Sequence, residues 1–190
     1  MIKIAIVGNI GSGKSYISRL FSCPVFNADK EVARIYKTEK DCFYKLKKKL
    51  PNYFSRFPIQ KDELINCILD KKNNLKKITK IIHPIIRKKL LKFLKNKKKN
   101  KFVVLDVPLY LENKLNSQKD VIIFIESKRS EIEKRLIKRK NFNRQLFNRF
   151  KKIQLSIEKK KKKANYVIKN DFSKKTAQKY VKSILKNILK

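Results

Sequence analysis

The chain has only three glycines in 190 residues, Gly8, Gly11 and Gly13, and all of them lie in one short stretch, IAIVGNIGSGKS at 4–15. Every other turn is made without glycine. This stretch therefore has a backbone requirement that a residue with a Cβ meets only at a cost. Residues 2–7 before the loop are apolar apart from Lys3, which suits a buried parallel strand. After it, Ile17, Leu20 and Phe21 have helical spacing over 14–21. In a strand–loop–helix of this kind, backbone N–H groups wrap around phosphate oxygens and the helix N-terminus adds its dipole. The letters fit G-x-x-x-x-G-K-[ST]. In that reading Gly8, Gly11, Ser12 and Gly13 form the cradle, Lys14 reaches the outer phosphates, Ser15 meets Mg2+, and Tyr16 follows on the first helical turn. A glycine-rich turn with no ligand is the competing reading of the same letters.

The rest of the chain alternates strands with helices. Strands are expected at 24–29, 101–109, 120–126 and 164–168. Helices are expected at 30–50, 61–72, 74–96, 128–139 and 144–163, and in an amphipathic tail from Ala177 to Leu189. Pro84 could interrupt the third of these helices or start a new one. The pattern predicts an α/β fold with a mostly parallel five-stranded sheet and helices on its faces, in a single domain spanning 1–190. Ligands of such sheets bind beyond the carboxyl ends of the strands. Residues 8–15, 27–29, 106–113 and 126–129 are thus the ones to weigh.

The formal net charge is +37, from 52 Lys and Arg against 15 Asp and Glu. Phosphate neutralisation on a nucleic acid is one use of such charge. However, Lys outnumbers Arg 43 to 9, and Asn, Ile and Phe are plentiful while Gly and Ala are scarce, a profile that AT-rich codons produce without selecting any partner. No specific nucleic-acid partner is expected. No stretch approaches the roughly 20 apolar residues of a membrane span. The three scattered cysteines lack metal-ligand spacing, and a cytoplasmic monomer or weak oligomer with reduced thiols is expected.

Further segments follow in order: NAD at 27–29, IIHPII at 81–86, VPLYLEN at 107–113, Arg139 and Arg144, Gln154, and ANYVIKN at 164–170. Together with the loop, this set resembles the dephospho-coenzyme A kinase family from nearly end to end. The resemblance implies a P-loop kinase fold, with a helical substrate-binding region at 30–100 and a lid at 128–163. It also implies ATP with Mg2+, and transfer of the γ-phosphate to the ribose 3′-hydroxyl of dephospho-coenzyme A. Asp29 is then the base or the orienting acceptor for that hydroxyl, although it also precedes a helical pattern and could cap it. Arg139 and Arg144 bind phosphates or the charge that develops on the transferred group. Pro108 and Glu112 belong to the substrate site, and His83, the only histidine, either belongs to it or is structural. Asp106 holds the Mg2+ shell or caps its loop.

Five of the nine arginines fall between 129 and 149, and Arg129, Arg135 and Arg149 read as a solvated face. Departures from the family pattern are Asn9 for a glycine, Asn27 for an aspartate, Lys61 for an arginine, Asn165 for an aspartate, and Phe172 near the place of a glycine. Asn9 is expected to take a positive φ, which asparagine tolerates, or to be asked for little more. The alternatives are another nucleoside monophosphate or small-molecule kinase on the same loop and, in a different class, a basic nucleic-acid-binding protein.

Overall fold

The computed structural model describes residues 1–140 and 142–189. Two compact units emerge, one of Met1–Asn27 with Lys97–Lys190 and one of Ala28–Asn96.

The first unit contains a five-stranded, wholly parallel sheet: β1 (Ile2–Gly8), β2 (Val25–Asn27), β3 (Phe102–Asp106), β4 (Asp120–Glu126) and β5 (Tyr166–Lys169), ordered β2-β3-β1-β4-β5. The central strand β1 is buried on both faces. Ile4 and Ile6 pack with Ile17 and Phe21 and with Ala177, Val181 and Ile184, while Ala5 and Val7 point the other way and are equally buried. The first trio of elements explains itself: the apolar run pairs on both sides, and the helices α1 (Lys14–Leu20) and α9 (Lys174–Ile188) cover one face with their apolar stripes. Ser173 caps α9, its hydroxyl accepting from Thr176 N at 3.4 Å. Among the described residues no helix is long and apolar enough to cross a membrane.

Three further helices belong to this unit: α6 (Arg129–Ile137), α7 (Arg144–Lys152) and α8 (Ile157–Lys162). The single helix expected over 144–163 is therefore two. Ser156 accepts from Lys159 N and starts α8 afresh, and a new N-cap of this kind overrides a basic run that reads as continuous. The break expected at 140–143 includes Asn141, which lies outside the described residues. Asn143 caps α7 by accepting from Leu146 N at 2.8 Å.

The second unit is all helical: α2 (Ala28–Thr38), α3 (Lys40–Lys49), α4 (Lys61–Asp70) and α5 (Asn74–Asn96). The helix expected over 30–50 is broken at Glu39, whose extended backbone opens α3 and whose carboxylate meets Lys89 of α5 at 2.8 Å. Contrary to the expectation for Pro84, α5 runs through it unbroken. An interior proline costs about 3 kcal/mol. Ile78, Ile82, Ile86 and Leu90, buried on both sides of it, offset that loss. The second strand is shorter than expected, ending at Asn27, so that Asp29 stands in the first turn of α2 rather than on the strand.

Candidate functional site

At the end of β1 the chain turns through the three glycines, each with a positive φ, and enters α1 directly after Gly13. Gly11 is needed for close approach: a Cβ there would come within 2.9 Å of Ile132 and 3.1 Å of Leu136, which seats α6 on the loop. Gly13 is needed for conformation and space at once. Its φ is 90°, and a Cβ would lie 2.5 Å from the Asn170 side-chain nitrogen. Of the two expectations for Asn9, the positive φ is not met. Its place in the loop uses only its carbonyl, which accepts from Ser12 N at 3.2 Å and from Lys14 Nζ at 2.7 Å, and an ordinary φ supplies that. Lys14 Nζ also donates to Gly8 O at 3.1 Å, so its ammonium folds back over the start of the loop. Ser15 and Tyr16 are exposed on the first turn of α1, whereas Ser12 is buried.

Two side chains from the ends of β4 and β5 hold the loop. Asn170 Nδ2 donates to Ser12 O at 2.8 Å and Ser127 Oγ donates to the same carbonyl at 3.1 Å. Asn170 ends the ANYVIKN segment and Ser127 lies in the strand-end stretch 126–129, but nothing in the sequence assigned either side chain a role. Strand ends facing the loop were the available signal.

Asp106 ends β3, buried, in register with Asn27 on β2. Asn27 Nδ2 donates to Asp106 Oδ2 at 2.6 Å. A second aspartate there would set two carboxylates against each other; the carboxamide instead donates to the one present. Pro108 opens the turn that follows β3. Further along that turn, Glu112 Oε1 accepts from Leu155 N at 2.9 Å and faces Lys160 Nζ at 3.3 Å. Lys160 is only 2% exposed, while Lys159 and Lys161–Lys163 around it are exposed. A lysine read as part of a coding-biased run is thus a buried cation, and nothing in the run itself distinguishes it.

Arg139 lies just after α6 and Arg144 begins α7, both exposed. Arg135 is exposed, as a solvated face would be, and its guanidinium also lies 4.3 Å from the centre of the Phe172 ring. Phe172 has φ 65°. Asn165 keeps the acceptor that an aspartate would offer: its Oδ1 receives Ile122 N at 2.8 Å.

In the helical unit, Asp29 lies in the first turn of α2, where a carboxylate also complements the helix dipole. His83 is on the outer side of α5, and partial desolvation holds its pKa below the ordinary histidine value. Lys61 is the first residue of α4.

The dephospho-CoA kinase family model matches residues 2–176. The chain belongs to that family. A dephospho-CoA kinase of Wolbachia pipientis is 30% identical over 190 residues, 97% of either chain. Among solved structures, TT1252 of Thermus thermophilus superposes with a TM-score of 0.80 at 25% identity, over 98% of this chain and 97% of its own. The dephospho-CoA kinase of Campylobacter jejuni shares the fold, with a TM-score of 0.63 at 21% identity over 98% of this chain and 96% of its own. Dephospho-CoA kinases phosphorylate the 3′-hydroxyl of dephospho-CoA, the final step of coenzyme A biosynthesis, and as kinases draw on ATP. Among the residues that depart from the dephospho-CoA kinase pattern, Asn9 and Asn165 accept hydrogen bonds from Lys14 and Ile122, and Asn27 donates one where it lacks a charge.

Proposed function

We propose that this chain transfers the γ-phosphate of ATP to the 3′-hydroxyl of dephospho-CoA, with the glycine loop holding the phosphates of ATP. The observation that carries this reading is the loop itself. Three positive-φ glycines lie between a buried strand and a helix, with the Lys14 ammonium over them. Such a loop aims backbone N–H groups at an anion, and Lys14 exchanges two carbonyl partners for phosphate oxygens when nucleotide arrives.

Mg2+ fits the donor set. Ser15 and Asp106 offer hard oxygen donors, and among the described residues no group of three or more His, Cys, Asp and Glu side chains forms a cage. Mg2+ is commonly bound by one or two protein oxygens together with substrate phosphates. When bound, it neutralises charge on the β- and γ-phosphates. The chain's own residues do the rest. Asn27 holds one oxygen of Asp106, which leaves the other for the metal shell. Asp29 orients the attacking hydroxyl and accepts its proton. Arg139 and Arg144 spread their forked donors over the transferred group. Ser12, Gly13 and Tyr16 border the nucleotide, and His83, Pro108 and Glu112 shape the sites for dephospho-CoA. The helical region at 30–100 receives that substrate, and 128–163 closes as a lid.

A coupled assay with ATP, Mg2+ and a panel of acceptors tests the reading. Turnover of dephospho-CoA is expected, and turnover of a nucleoside monophosphate in its place would overturn it. Lys14→Ala should abolish turnover. Asp29→Asn should lower kcat by 100-fold or more, at the scale of general-base catalysis, with ATP affinity largely kept.

A further inference from the structure

We infer that Asn170 is a positioning residue for the phosphate loop, setting the plane of the Ser12–Gly13 peptide so that the Gly13 N–H faces the nucleotide. The inference rests on the reading of the loop as the ATP site.

A trans peptide points its carbonyl and its N–H in opposite directions, so whatever holds the carbonyl also aims the N–H. The Ser12 carbonyl is held from two sides, by Asn170 Nδ2 at 2.8 Å from the end of β5 and by Ser127 Oγ at 3.1 Å from just past β4. The Gly13 N–H is thereby turned away from both strand ends. Asn170 is itself firmly placed. It is 5% exposed, its backbone N donates to Glu126 O at 2.7 Å, and its Oδ1 accepts from Phe172 N at 3.0 Å. With the oxygen committed to a donor, the amide orientation is fixed and the nitrogen must face the loop. The left-handed backbone of Phe172 lies next to that Oδ1 contact, and its ring lies under Arg135. Gly13 is crowded by the same amide, since a Cβ would lie 2.5 Å from Asn170 Nδ2. The peptide plane is therefore set from outside the loop, by side chains that need never touch nucleotide.

Calorimetric titration with ADP, beside steady-state kinetics, tests this on the full chain. Asn170→Ala should weaken ADP binding and raise the KM for ATP about two- to tenfold, the effect of one lost hydrogen bond, with the KM for dephospho-CoA unchanged within about twofold. Asn170→Asp keeps the size and the acceptor for Phe172 but sets a carboxylate against the Ser12 carbonyl, so its loss should exceed that of alanine. Ser127→Ala removes the second donor and should weaken ADP binding about twofold. If Asn170→Ala does not fold, Asn170→Asp decides, and unchanged ADP affinity there overturns the inference. ADP binding by the alanine variants at the parent affinity overturns it while leaving the loop reading intact. A KM for dephospho-CoA that rises in step with that for ATP overturns it as well, because the damage would then be general. Absence of ADP binding by the parent chain overturns both readings together.

Discussion

Phe172 holds a left-handed backbone with a side chain that has a Cβ, a conformation costing about 1–2 kcal/mol relative to glycine. The stacking of Arg135 on its ring and the bond from its N–H to Asn170 help to offset that cost. Two substitutions separate the effects. Phe172→Ala loses the ring and keeps the strain, while Phe172→Gly loses both. The glycine variant should therefore be the more stable by about 1 kcal/mol, the reverse of the usual order for these two residues, and urea denaturation reads the difference. An alanine variant at least as stable as the glycine variant would show the backbone to be unstrained. At this scale the sequence was legible where chemistry leaves one residue type available. Gly8, Gly11 and Gly13 announced the loop because the rest of the chain has none. It was opaque where the signal is a partner distant in the chain. Lys160 looks like its neighbours until Glu112 is beside it, and Asn27 looks like a lost carboxylate until it is seen donating to Asp106.

Among elements, strands were the easier to read, since apolar runs of four or five residues within β1, β3 and β4 have no competing period. Helix ends were harder, because a cap such as Ser156 lies within a basic stretch whose periodicity passes over it. The Glu112–Lys160 pair ties the turn after β3 to the segment where α7 gives way to α8. Removing one partner of a buried pair strands the other. Lys160→Met should therefore cost about 3 kcal/mol, while Lys162→Met on the exposed side of α8 should stay within about 0.5 kcal/mol. Equal losses from the two would mean that Lys160 is no different from the run around it. The connection from β3 to β4 is held in the same manner by Asp120. Burial raises its pKa, but Lys3, the Ser117 amide and the Tyr110 and Ser117 hydroxyls outweigh this and hold it below the ordinary aspartate value. A carboxyl depressed in the folded state stabilises the fold above its unfolded pKa, about 4, and loses that contribution as pH falls through the folded value. The stability gap between the parent and Asp120→Asn should be constant from pH 7 to about pH 4.5 and narrow below it. A gap independent of pH down to 2 would rule out the ion pair as its source.

For the molecule as a whole, a charge of +37 on 190 residues sets lysine against lysine wherever screening is weak. The Debye length shrinks from about 30 Å at 0.01 M salt to about 10 Å at 0.1 M. The urea midpoint should accordingly rise as NaCl is added over that range, and a flat or falling midpoint would show that the charges are spaced too widely to matter. Affinity for single-stranded RNA should collapse over the same range, as expected of counterion release without a built site. The parallel order β2-β3-β1-β4-β5 has another consequence, for synthesis on the ribosome. The strand that ends in the phosphate loop is the first to emerge, yet its partners begin at Phe102 and Asp120, so it waits unpaired while more than half of the chain is made. At translation rates of about 5–20 residues per second, that exposes an apolar β segment for several seconds. Lys3 interrupts that segment and later finds Asp120. The same side chain that anchors the finished sheet thus discourages the nascent strand from pairing with its copies on neighbouring ribosomes.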